Sequence, residues 1–133
     1  MGGMRMIYKI AAHSDVGIVK KINQDSVLVK IAQTNHDKVC LCVVCDGMGG
    51  LADGELASAT VIREFDQWFI NKLPGLLETP EFPMDELRVQ WDDLVMRQNK
   101  KLAKYASGIG TRMGTTVVAF LVVDDKYYIM NIG

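Results

Sequence analysis

The chain is poor in the residues that announce a familiar chemistry. Its 133 residues include three cysteines, an odd count that suits a reducing environment better than a disulfide framework. In an extended segment Cys40 and Cys42 fall on one side and Cys45 on the other, and no second thiol pair exists. The three thiols therefore read as small buried hydrophobes rather than a soft-metal site. The two histidines, His13 and His36, have no partners at ligand spacing. Long hydrophobic runs are also missing, since the longest, Val117 to Val123, is far too short to cross a bilayer. The opening Met1-Gly2-Gly3-Met4-Arg5-Met6 has no signal-peptide core, and Met6 stands where a myristoylation signal needs Ser or Thr. Neither sign of charge dominates: 15 Lys and Arg are interspersed with 16 Asp and Glu, for a net charge of −1. That balance gives no electrostatic footprint for nucleic acid or for an anionic membrane. The expected address is the cytoplasm.

What is present is enough apolar content for one domain with its own core. Met6 to Ala12 is an apolar-rich candidate strand. Asp25 to Ile31 alternates, with Val27, Val29 and Ile31 on one face and Leu28 and Lys30 on the other. Asn35-His36-Asp37 reads as a turn, and Lys38 to Cys45 as a strand covered on both faces. The period then changes. Val61 or Ile62, Phe65, Trp68 or Phe69, and Leu73 recur at helical spacing, with Asp53 as the expected N-cap and Pro74-Gly75 as the stop. A second helix is expected from about Asp85 to Ala106. Its stripe is Leu87, Trp91, Leu94 or Val95, and Leu102, and Lys100, Lys101 and Lys104 are placed to complement the dipole at its end. Ser107 to Gly110 reads as a loop. Thr115 to Val123 and Lys126 to Ile132 form a hairpin turning at Asp124-Asp125. Strands, then helices, then strands predict an α+β fold of antiparallel β-sheets in which a pair of long antiparallel helices packs on one face.

The densest chemistry lies in Val43-Val44-Cys45-Asp46-Gly47-Met48-Gly49-Gly50, followed by Leu51-Ala52-Asp53-Gly54-Glu55. An apolar strand ends in a carboxylate and opens into glycines, where backbone can approach a ligand without side-chain obstruction. Gly47 to Ala52 formally fits a dinucleotide-binding pattern. However, the helix that follows runs into Pro74 and another helix, and Asp46, Asp53 and Glu55 crowd the place a pyrophosphate would take. A P-loop needs Gly-Lys-Ser/Thr, which is absent, and the acids do not fall at EF-hand positions. Taken alone, the loop remains a turn, a nucleotide cradle or a cation site.

It does not stand alone. Gly17, Lys20, Asn23 and Asp25 precede it at the spacing Gly-x-x-Lys-x-x-Asn-x-Asp; Ala57-Ser58, Gly114-Thr115-Thr116 and Asn131-Ile132-Gly133 follow it. Together, and in this order, these segments resemble the N-terminal half of the metal-dependent serine/threonine protein phosphatases of type 2C, the PPM family. The resemblance implies an incomplete form of a four-layer αββα sandwich, with residues 1–133 as one N-terminal portion of the domain. It implies two divalent cations, Mn2+ or Mg2+, per complete domain, and hydrolysis of phosphoserine or phosphothreonine in proteins by a metal-bound water, without a phosphoenzyme. Asp46 matches the aspartate that bridges the two cations, and Gly47 the residue whose carbonyl faces the second. Asp25 matches an acid that supports the metal's waters, and Gly49 and Gly50 match the glycines that shape the loop. Carboxylates, a carbonyl and water are hard oxygen ligands, suited to Mg or Mn rather than Zn.

Two positions depart from the family pattern. Lys20 stands where an arginine usually grips the substrate phosphate, and a lysine attracts phosphate without the bidentate fork. The alternative for Lys20 is a solvated lysine beside Lys21. Gln24 replaces an acid often found before Asp25, which lowers the negative charge near the second cation. The resemblance further implies an aspartate after Gly133 and more metal-binding aspartates beyond it. The chain by itself is therefore expected to be inactive or nearly so. Implied partners are a phosphoprotein substrate and a counteracting Ser/Thr kinase pathway. A reading from another class is a non-catalytic phosphatase-like module that forms a homo-oligomer through open sheet edges.

Overall fold

The structure, a computed structural model, describes residues 18–22, 25–34, 37–49 and 53–132. The expected strand from Met6 to Ala12, both histidines, Gln24, Gly50 and Gly133 lie outside the described residues. Five strands form one antiparallel sheet: β1 (Ile18–Ile22), β2 (Asp25–Thr34), β3 (Asp37–Gly49), β4 (Met113–Val123) and β5 (Lys126–Ile132). They lie side by side in chain order. Between β3 and β4 the chain makes three helices, α1 (Asp53–Asn71), α2 (Leu73–Leu77) and α3 (Met84–Gly108).

All helices cover one face of the sheet. Strand alternation sends Leu28, Ala32, Val39, Leu41, Val43, Val117, Ala119 and Leu121 toward them. The helices answer with Val61, Phe65, Trp68 and Phe69 from α1 and Leu87, Trp91, Leu94, Val95 and Leu102 from α3, as the helical spacing predicts. Trp91 sits at the centre, edge-on to Phe65 and Trp68 with ring centroids 5.9 and 5.5 Å away. The Trp68 indole N–H donates to Gln90 Oε1 at 2.8 Å, joining the end of α1 to the start of α3. At the other end Thr111, just past α3, bonds Asp53 at the start of α1. The two long helices are therefore antiparallel, as expected.

Alternation in β2 is also as expected, but sequence leaves open which face is covered. The helices take the face of Ser26, Leu28 and Lys30, and Val27 and Val29 are left half-buried and Ile31 exposed. Lys30 is only 3% exposed; its ammonium lies 2.6 Å from Asp66 Oδ1 on α1 and 5.6 Å from the Phe69 ring centroid. The pair fixes α1 on β2.

Three helix boundaries differ from expectation. Pro74-Gly75 does not stop α1, which ends at Asn71; both residues lie inside α2. Proline needs no amide partner in the first turn, so it opens a short helix here. Asp53 is the first residue of α1 rather than a residue ahead of it. Finally, α3 runs on to Gly108, so Ser107-Gly108 is helical and Lys100, Lys101 and Lys104 fall short of the last turn, which holds no basic residue. Its carbonyls are satisfied by backbone instead. Gly110, at φ +74°, lets its own N–H reach Ser107 O at 3.3 Å and the Thr111 N–H reach Ala106 O at 2.9 Å, a Schellman ending. The hairpin turns at Asp124-Asp125 as expected, with Asp124 at φ 57°, a conformation aspartate tolerates.

Candidate metal centre

The pairing of β2 with β3 sets the site. Asp25 and Asp46 are register partners at one end of the sheet. By strand alternation both face away from the helices, with Asp46 exposed and Asp25 half-buried. Hydrogen bonding with the neighbouring Asp46 carboxyl, partial loss of water and the negative charge of Asp46 raise the Asp25 pKa above the ordinary aspartate value. Two carboxyls 21 positions apart in sequence are thus brought together on the open face of the sheet.

Backbone around Asp46 is held from β4. Asp46 pairs with Thr116, buried Gly47 with Thr115, and Gly49 with Met113. Thr115, 4% exposed, donates its hydroxyl to the carbonyl of Asp46 at 3.1 Å and to that of Thr116 at 2.8 Å. The Thr115 hydroxyl thus serves the backbone of β3 and β4. Below Asp46, burial pushes the Cys45 thiol up to about 12, with contact to Thr115 partly offsetting it. Cys45 is buried while Cys40 and Cys42 are half-exposed on the other face, so Cys45 is kept apart from the other two thiols.

Gly49 explains itself by space. It has φ +149°, and a Cβ there would lie 2.8 Å from Asp53 Cβ and 2.9 Å from the Arg112 carbonyl oxygen. Only glycine lets β3 run so close to the start of α1 and to the entry of β4. On the covered face, Ser26 and Ser58 meet through their hydroxyls at 2.9 Å, and Ser58 also reaches Glu55 O at 3.2 Å. This buried pair ties α1 to β2 behind Asp25. Sequence reading assigned no individual role to Ser26, Ser58 or Thr111, and only Ser58 belongs to a matched segment, Ala57-Ser58.

The remaining expected site residues are placed as follows. Lys20 lies on β1 with its backbone opposite Val27, two residues along from Asp25. Asp53 is turned to Thr111 at 2.9 Å rather than to the carboxylate pair. Among the described residues no group of three or more His, Cys, Asp or Glu is placed to hold a metal ion. Asp25 and Asp46 fit a hard divalent cation in kind, as oxygen donors carrying negative charge, and they supply two of the several ligands such an ion takes.

Several known proteins resemble the chain in sequence and fold. The sequence model described as "Protein phosphatase 2C" matches residues 12–133. A serine/threonine phosphatase stp of Listeria innocua is 31% identical over 123 residues, covering 90% of this chain and 45% of that protein. The serine/threonine protein phosphatase PstP of Mycobacterium tuberculosis is 30% identical over 135 residues, covering 100% of this chain and 23% of that protein. The solved S. agalactiae serine/threonine phosphatase superimposes with a TM-score of 0.62 at 23% identity, over 90% of this chain and 47% of that one, a likeness of fold. The chain spans about half the length of the Listeria relative and less of the mycobacterial one.

Proposed function

The chain belongs to the protein phosphatase 2C family, and from that premise we propose that it serves the divalent-cation-dependent hydrolysis of phosphoserine and phosphothreonine in proteins. The observation that carries the reading is the Asp25–Asp46 pair: like-charged carboxyls held at one register position on the open face of the sheet. Such a pair is costly unless a proton or a cation sits between its members. Asp46 and Asp25 would hold the cation, Gly47 would lend its backbone carbonyl, and Gly49 and Gly50 would shape the loop. Mn2+ or Mg2+ suits these hard donors. A bound ion would supply Lewis acidity to the phosphoryl oxygens and an activated water. Lys20, near Asp25 along the sheet, would attract the substrate phosphate as a point charge.

Residues 1–133 act in this reading as one N-terminal portion of the domain, in the cytoplasm, opposed by a Ser/Thr kinase pathway. Among the described residues no helix is long and apolar enough to cross a membrane. Two carboxylates make a weak site, so the isolated chain should hydrolyse p-nitrophenyl phosphate barely or not at all. Calorimetric titration with Mn2+ tests the site. Weak binding that Asp46→Asn abolishes supports it, and titration heats identical in the two proteins would refute it. The second reading, self-association, draws on β5, whose outer edge has no strand partner among the described residues. Concentration-dependent mass in light scattering would favour it.

A further inference from the structure

Resting on the cation-site reading, we infer that the segment Thr111–Thr115, with Asp53, is a positioning clasp for the glycine-rich end of β3, and that Asp53 acts through Thr111 instead of binding the ion. Three contacts place the clasp along the end of β3 and on the start of α1. Thr115 holds the carbonyl of Asp46 in β3. Thr111 Oγ1 donates to Asp53 Oδ2 at 2.9 Å, at the first residue of α1. Between them Gly49 runs against the Arg112 carbonyl and Asp53 Cβ with no room for a side chain. Thr111 is itself fixed from behind, because its N–H closes the Schellman ending of α3 on Ala106 O. The end of α3 thus sets where Asp53 stands, and Asp53 stands against Gly49 at the end of β3.

A carboxylate used in this way has a distinct chemical signature. A hydroxyl donor needs only an acceptor oxygen, which asparagine also offers, whereas a cation ligand needs the charge. The test is Mn2+ titration of the chain with Thr111→Val, Thr111→Ser, Asp53→Ala and Asp53→Asn, with melting temperature as a check on folding. Thr111→Val and Asp53→Ala should each weaken Mn2+ by about three- to ten-fold, the scale of one lost hydrogen bond. Thr111→Ser and Asp53→Asn should stay within about two-fold of the parent on the same scale. The double variant Thr111→Val with Asp53→Ala should be no worse than either single one, because both remove one contact. An Mn2+ affinity unchanged in Thr111→Val overturns the clasp, as does Asp53→Asn losing as much as Asp53→Ala. Hydrogen exchange at the Gly47 and Gly49 amides needs no cation and should quicken in Thr111→Val; exchange at the parent rate overturns the clasp as well. A parent chain that takes up no Mn2+ refutes the cation-site reading itself, a result separable from all of these.

Discussion

Strand β2 carries two charged contacts on opposite faces, five residues apart, and they are opposite in kind. Lys30 points into the helix layer and meets an acid, Asp66. Asp25 points out of it and meets another acid, Asp46. The inner pair is complete: a buried cation has its anion, and an aromatic ring beside it. The outer pair is incomplete, because two carboxyls without a third party repel. Fold stability explains the first; the second needs a proton or, in the proposed reading, a cation. If the proposed reading holds, the contrast separates the part of β2 that builds the molecule from the part that equips it.

The largest expected effect strikes the inner pair. Lys30→Ala removes a buried side chain and strands Asp66, and should cost about 3 kcal/mol of unfolding free energy in urea titration. Asp66 keeps a third of its side chain in water, which holds the loss toward the lower end of the range for broken buried pairs. Lys30→Met, which keeps the stem but not the charge, should fall between that variant and the parent. If Asp25→Asn destabilised the cation-free protein as much as Lys30→Ala, the outer pair would be structural too and the contrast would collapse.

A smaller effect is expected at the end of β3. Gly49→Ala places a methyl group within 2.9 Å of backbone oxygen and within 2.8 Å of Asp53 Cβ, at a φ that side chains rarely adopt. Moving α1 away from β3 to make room should cost about 2 kcal/mol, visible as a lower melting temperature. The same shift would separate Asp53 from its place and weaken Mn2+. A variant that melts like the parent yet loses the ion would show that the loop yields locally while α1 stays put.

These residues also mark how far the sequence could be read. The helices were legible because their evidence is local: Phe65 and Trp68, or Leu87, Trp91 and Leu94, repeat within a few residues and land on one covered face. Asp25 and Asp46 were legible only as members of a recognisable set of segments, since nothing in either residue announces a partner 21 positions away. The covered face of β2 was not legible. Val27, Val29 and Ile31 look more like core than Leu28 and Lys30, and Asp66 on α1 tips the choice by giving Lys30 a counter-charge. The clasp was hidden for a like reason. Thr111 and Asp53 lie 58 positions apart, and a backbone ending on Gly110 brings them together.

The smallest effect is the most diagnostic, because it tests the outer pair by its sign. The Asp25 pKa is raised in the folded chain above its unfolded value of 3.8. A raised carboxyl binds its proton more tightly when folded, so its contribution to stability is complete below pH 3.8. That contribution disappears as pH rises through the folded pKa, where Asp25 and Asp46 come to face each other as anions. Without divalent cation, the melting temperature of Asp25→Asn relative to the parent should therefore climb as pH rises above 3.8 and then level off. The parent suffers the growing repulsion and the variant does not. Adding Mn2+ should invert the trend, since the ion favours the deprotonated pair and stabilises the parent by mass action while finding only one carboxylate in the variant. A difference in melting temperature that ignores both pH and Mn2+ would mean that Asp25 and Asp46 do not interact in solution, and the outer pair would cease to be a site. A difference that follows pH but ignores Mn2+ would leave two coupled acids with no cation to serve. Only the inversion identifies the third party that the outer pair lacks and the inner pair does not need.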